Sequence, residues 1–179
     1  MIWFTSDFHI GDLRMLNKRG FVSLDEMAST LIDNYNSLVA PDDEVWLLGD
    51  MAGDIETACK YMPRLNGKKS YVVGNHDRKW IGDKRAEELF EQVVGSTVIT
   101  IDDATVHLSH YPLYEWYKSK YGGALIHGHM HGEKIEDSFY ASQNAIDVSV
   151  DNCRLRPMSW EDIVSQFKAQ GKSLYRGRR

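Results

Sequence analysis

Short apolar runs alternate with amphipathic stretches along the chain, which is the pattern of an α/β protein. Ile2 to Ser6 reads as a first strand. Ser23 begins a helix as N-cap, with Glu26 placed to complete a capping box. Leu24, Met27, Leu31, Tyr35 and Leu38 follow at helical spacing, and Pro41 ends the run. Glu44 to Leu48 predicts a second strand, and Asp54 a cap for a short helix with Ile55, Cys59 and Met62 on one face. Ser70 to Val73 predicts a third strand and Asp83 to Gln92 another helix. In the second half, Thr97 to Ile101 and Thr105 to Ser109 flank Asp102-Asp103-Ala104 as a hairpin. Ala124 to His127 and Ala145 to Val150 are further strands, and Ser159 begins a last helix striped by Trp160, Ile163, Val164 and Phe167.

A chain of 179 residues suits one domain, here 1–171, followed by a basic tail over 172–179 that contains three arginines and is expected to be solvated. The net charge of −5 argues against a protein that coats nucleic acid. It leaves open a phosphate substrate held by metal ions, whose field is local. The two cysteines, Cys59 and Cys153, form no CxxC pair and read as cytosolic thiols. The start MIWFTSDFHIGD lacks a basic n-region, and no run reaches the roughly 18 apolar residues of a membrane span. The expectation is a soluble, cytoplasmic protein.

Five segments share one arrangement, an apolar run followed by polar residues of metal-ligand type. They are Asp7-Phe8-His9, Gly49-Asp50, Gly74-Asn75-His76-Asp77, His110, and Gly128-His129-Met130-His131. In open α/β sheets, ligand sites collect at the carboxyl ends of strands, so these side chains can converge. On an extended backbone, residues i and i+2 point to one side, which lets Asp7 and His9 reach one ion together, and likewise His129 and His131. Spacing alone leaves a second pairing open, because His127 also forms an HxH with His129. Carboxylate, imidazole and amide ligands suit manganese, iron, zinc, cobalt or nickel better than calcium or copper(I). Each segment by itself is weak evidence, since Gly, Asn and Asp also favour plain turns.

Taken together and in order, the segments resemble the signature DxH, GD, GNH(D/E), H and GHxH of the calcineurin-like metallophosphoesterase superfamily, in particular its short bacterial and phage-type members. The resemblance implies two packed mixed β-sheets flanked by helices, a four-layer α/β/β/α sandwich. It implies two divalent ions, with manganese the first choice. Asp7, His9, Asp50 and His131 would hold one, and Asp50 would bridge to a second held by Asn75, His110 and His129. A hydroxide bridging the ions would attack phosphorus, His76 would protonate the leaving oxygen, and Asp77 would orient or charge His76. Many short relatives carry a second histidine after the first motif, where this chain has Asp12.

Two ions, two aspartates and a hydroxide sum to about +1, which suits a singly charged diester. The arginines that clamp a dianionic phosphate in the protein-phosphatase branch are missing. Val73 precedes Gly74, and Gly49-Asp50-Met51-Ala52-Gly53-Asp54 contains none, although Arg14 and Arg78 offer other positive charge. The expected substrate is a small phosphate ester, a nucleotide or cyclic nucleotide diester. A phosphomonoesterase or nuclease is the alternative, and a non-catalytic metal-binding scaffold a further one. Extended nucleic acid is not favoured, because no interleaved basic and aromatic patch is visible. Tyr111, Tyr114, Trp116 and Tyr117 read either as a base-stacking wall or as core. His107 and His127 are expected to be strand or supporting residues, while Asp147 and Asp151, near the last strand, could contact the site, with a surface role the first expectation.

Overall fold

The structure, a computed structural model, describes residues 1–136 and 143–177. The described residues form two sheets. One has the order β4-β3-β2-β1-β9 and the other β5-β6-β7-β8. In the first, β1 (Ile2–Thr5), β2 (Glu44–Leu47), β3 (Lys68–Val72) and β4 (Gln92–Val94) are parallel, and β9 (Met158–Ser159) runs antiparallel beside β1. In the second, β5 (Ser96–Ile101) and β6 (Ala104–Ser109) form a hairpin, and β7 (Ala124–His127) and β8 (Ala145–Asp147) continue parallel to β6. Among the described residues five α-helices accompany them: α1 (Leu13–Arg19), α2 (Leu24–Asn36), α3 (Ile55–Tyr61), α4 (Lys84–Glu87) and α5 (Trp160–Ala169). Both sheets are mixed and they pack face to face, as the family resemblance implied.

Strands β1 and β2 are buried on both faces over most of their length, so they read as apolar runs rather than alternations. Trp3, Val45, Leu47 and Tyr71 join the cluster that contains Met15 of α1, Met27, Leu31 and Tyr35 of α2, Ala58 of α3 and Ala86 of α4. Their neighbours Phe4, Trp46, Leu48 and Val72 face the other way. There they meet Val106 and Leu108 of β6, Ala124 and Ile126 of β7, Ile146 of β8, and Trp160, Ile163 and Phe167 of α5. The period of two thus separates a helix-side core from a core between the sheets.

The predicted caps are in place. Ser23 Oγ accepts from Glu26 N, Asp54 Oδ1 from Thr57 N, and Ser159 Oγ from Asp162 N. The Ser23 box is open on one side, because Glu26 Oε2 accepts from Val22 N rather than from Ser23 N. The Asp102-Asp103 turn has both residues at positive φ, 48° and 64°, as a two-residue hairpin requires.

Three expectations need correction. The helix over Asp83 to Gln92 shrinks to α4, after which Phe90 packs on Tyr71 at 4.4 Å and the chain enters β4 beside β3. Helix α2 ends at Asn36, leaving Leu38 outside it and 37% exposed. The tail is anchored as far as it is described. Tyr175 O accepts from Thr105 N, Tyr175 N donates to Gly122 O, and Arg176 bridges Ala104. Arg178 and Arg179 of the predicted tail lie outside the described residues. No helix among the described residues is long and apolar enough to cross a membrane.

Candidate metal centre

Each of the five predicted segments follows the carboxyl end of a strand. Asp7 and His9 follow β1, Asp50 follows β2, Asn75, His76 and Asp77 follow β3, His110 follows β6, and His129 and His131 follow β7. A parallel bridge between Ser6 and Ser149 and the bond from Gly128 N to His110 O draw the strand ends together.

Asp7 Oδ1 lies 3.6 Å from both His9 Nε2 and His131 Nε2. Asp50 Oδ2 lies 3.7 Å from His9 Nε2 and 3.4 Å from His110 Nε2. Asn75 Oδ1 lies 2.9 Å from His110 Nε2 and 3.1 Å from His129 Nδ1. Ligands of one ion, each about 2.0–2.2 Å from it, stand roughly 3–3.6 Å apart. Among the described residues two groups able to hold a metal ion result, Asp7 with His9 and His131, and Asp7 with Asp50 and His110. Asp7 is common to both groups, and Asp50 Oδ2 stands between His9 and His110.

The donor chemistry asks for a cation. Asp7 and Asp50 are 0% and 2% exposed, and among the described residues neither carboxylate pairs with a lysine or arginine. Asp7 Oδ1 and His9 Nε2 are buried without a hydrogen-bond partner. Buried carboxylates are costly unless a charge accompanies them. Burial alone would raise the Asp50 carboxyl, but His110 beside it holds it below the usual range, and Asp50 in turn raises His110 against its burial.

The remaining polar atoms are committed so that ligand atoms stay free. Asp7 Oδ2 accepts from Ser6 Oγ (2.6 Å) and His129 N (2.9 Å), and Asp50 Oδ1 accepts from His76 N (2.9 Å). His110 Nδ1 donates to Leu48 O (2.7 Å), which turns Nε2 toward Asp50 Oδ2 and Asn75 Oδ1. Two motif glycines are needed for close approach. A Cβ on Gly74 would collide with Asp50 Oδ1, and one on Gly128 with Ser6 Oγ and Asp7 Oδ2.

The extended-backbone reason for the DxH and HxH spacings does not hold. Asp7, His9, Asp50, His129 and His131 all have positive φ, between 49° and 70°. The ligand-type side chains converge from left-handed turns at the strand ends. Such residues cost about 1–3 kcal/mol each and persist where the surroundings over-determine them. Here Asp7 N donates to Gly49 O and His9 N to Asp50 O.

Other expectations change too. Asp77 Oδ2 accepts from Asp50 N (3.0 Å) and Gly74 N (2.7 Å), so this carboxylate holds the loop backbone rather than the His76 ring. Burial raises its pKa to about 6, opposed by those two amides. The half-buried His76 has its ring 5.1 Å from that of His9. Asp12, in place of a histidine, caps α1 through Arg14 N and pairs with the Arg14 guanidinium, which engages that charge. Trp116 is core, with Nε1 donating to Gly123 O, whereas Tyr111, Tyr114 and Tyr117 are exposed. The Tyr111 ring leans on His129 at 4.9 Å. A single cation, Lys118, has its Nζ 5.3–5.4 Å from the rings of Tyr117, Tyr121 and Tyr175. His107 and His127 are strand residues of β6 and β7, as expected.

Asp147 and Asp151 are not plain surface residues. Asp147 Oδ2 accepts from Gly132 N, just past His131. Asp151 Oδ2 accepts from His131 Nδ1 (2.6 Å), and Arg19 Nε meets Asp151 Oδ1 at 2.8 Å. The sequence reading gave Arg19 no role and expected Asp151 at the surface. Asp151 follows the apolar run Ala145 to Val150, so the same strand-end rule applied to this run would have found it.

A two-sheet α/β sandwich with Asp/His groups able to hold metal at its strand ends defines the class of protein. The chain belongs to the family of the gene 66 protein of Mycobacterium phage L5, to which it is 31% identical over 194 residues, covering 92% of this chain and 89% of that one. It is 29% identical to an uncharacterised protein of Methanocaldococcus jannaschii, over 96% of this chain and 93% of that one. A protein of unknown function from Aquifex aeolicus shares the fold, with a TM-score of 0.74, 23% identity, and coverage of 93% of this chain and 98% of that one. No protein-family model matches the chain.

Proposed function

We propose that the protein is a metal-dependent phosphoesterase of the calcineurin-like kind that hydrolyses phosphodiesters of nucleotides or cyclic nucleotides. The observation that carries this reading is the meeting of seven ligand-type side chains, two of them buried carboxylates that no lysine or arginine among the described residues neutralises. Asp7, His9, Asp50 and His131 would hold one ion, and Asp50, Asn75, His110 and His129 the other. A pair of divalent ions, when bound there, would supply Lewis-acid activation of water and of the phosphoryl oxygens. His76 stands at the half-buried rim, its backbone fixed on Asp50 Oδ1, and protonates the departing oxygen. Asp77 keeps the Gly74 and Asp50 amides in place. Tyr111, exposed beside His129, offers a flat apolar face suited to a nucleobase.

A phosphomonoesterase is the second reading, favoured by the exposed Arg78 just beyond Asp77. Metal-stripped protein reloaded with manganese should cleave bis-p-nitrophenyl phosphate faster than p-nitrophenyl phosphate, and chelator should abolish both. The reverse ranking would favour the monoester. Bound manganese with no turnover of either ester would leave a metal-binding scaffold.

A further inference from the structure

The Arg19 side chain is 4% exposed, and its five N–H groups are all directed at acceptors. Nε and Nη2 grip Asp151 Oδ1 and Oδ2, each at 2.8 Å. Nη2 also donates to Asp7 O (2.7 Å), and Nη1 to Phe8 O (2.6 Å) and toward Met27 Sδ (3.8 Å). Asp151 Oδ2 in turn accepts from His131 Nδ1 at 2.6 Å. One cation therefore holds the carbonyls of the left-handed Asp7-Phe8-His9 turn and, through a single carboxylate, the ring of His131.

We propose that Arg19 and Asp151 are positioning residues for one half of the centre, the ion held by Asp7, His9 and His131, and that they leave its neighbour to other supports. The proposal rests on the two-ion reading above. Asp151 fixes the proton of His131 on Nδ1, so that Nε2 faces Asp7 Oδ1, and raises the basicity of that nitrogen. Arg19 neutralises Asp151, so the arrangement adds no net charge beside the aspartates. The planar fork is needed, because a lysine cannot grip a carboxylate bidentately while capturing two carbonyls. Stability is a poor explanation for the pair, since buried ion pairs are often no better than apolar replacements. Its contacts are also one-sided. Arg19 and Asp151 touch Asp7, Phe8 and His131, while His110 is held by Leu48 O and Asn75 stands between His110 and His129.

The test is calorimetric titration of metal-stripped full-length protein with manganese(II), with electron paramagnetic resonance of the loaded samples. Wild type should show two binding events and the signal of a coupled manganese pair. In Asp151→Asn and Arg19→Lys, one event should weaken about 10–100-fold, the range for losing a partner of a ligating histidine, while the other changes little. At limiting manganese the pair signal should give way to that of an isolated ion. The double variant Arg19→Met/Asp151→Asn leaves no unpaired buried charge and should fold in chelator, yet show the same single weakened event. Equal weakening of both events, or unchanged binding in the double variant, overturns the proposal. A wild type that binds no manganese defeats the two-ion reading instead, and the two failures are distinguishable.

Discussion

Asp50 concentrates the site's dependence on a single side chain. Oδ2 faces His9 and His110, Oδ1 receives His76 N, and the residue's own amide is held by Asp77. Asp50→Asn keeps the shape but gives up the charge between His9 and His110. It should lose both bound ions and nearly all turnover, and normal metal content by elemental analysis would contradict the shared-ligand role. The ring of His76 makes no hydrogen bond to a ligand-type atom among the described residues, so His76→Ala should keep both ions. It should slow reactions with poor leaving groups by about 10²–10⁴-fold, and good ones far less. Equal losses on alkyl and p-nitrophenyl diesters would remove the proton-donor role. At this scale the sequence was informative about residue type, because ligand chemistry restricts which side chains serve. It was silent on conformation. Nothing in Asp-Phe-His announces two left-handed residues, since that geometry is imposed by Gly49 O, Asp50 O and Arg19 from elsewhere in the chain.

Elements with local signals were readable, and those defined by partners were not. Ser23, Asp54 and Ser159 cap their helices because a side chain and an amide three residues on are enough to specify the start. Helix α1 escaped notice because it has no apolar stripe. Met15 is its one buried residue and Leu13 is 62% exposed. Strands β4 and β9 have three and two residues, and only pairing with β3 and β1 makes them strands. The cap of α5 gives an element-scale prediction. Ser159 Oγ accepts from Asp162 N and donates to Asp162 Oδ2, and the helix places Ile163 and Phe167 in the core between the sheets. Ser159→Ala should lower the unfolding free energy by about 1 kcal/mol in urea titrations, with an unchanged denaturant slope. Loss of manganese binding in this variant would mean that the cap reaches the centre, which the contacts do not suggest.

Across the whole molecule, the proposed centre lies on the seam of the sandwich. Asp7, His9, Asp50 and Asn75 come from the sheet of β1, β2 and β3, while His110, His129 and His131 come from that of β6 and β7. Each proposed ion would therefore take ligands from both sheets and tie together the ends of an interface otherwise held by Phe4, Trp46, Val106 and Ile126. Removing it leaves two buried carboxylates facing each other across imidazoles, a repulsion placed where the sheets must stay closed. Free ion at 100 times its dissociation constant stabilises a one-site protein by about 2.7 kcal/mol, and each kcal/mol moves Tm by about 2–4 °C at this chain length. Two ions should then raise Tm on the order of 10–20 °C over the chelated protein. The same shift should appear as slowed amide exchange at His9, Asp50 and His129, whose backbones line the seam. A Tm indifferent to manganese would mean that the strand ends close without a cation, and the unpaired Asp7 Oδ1 would then need another explanation.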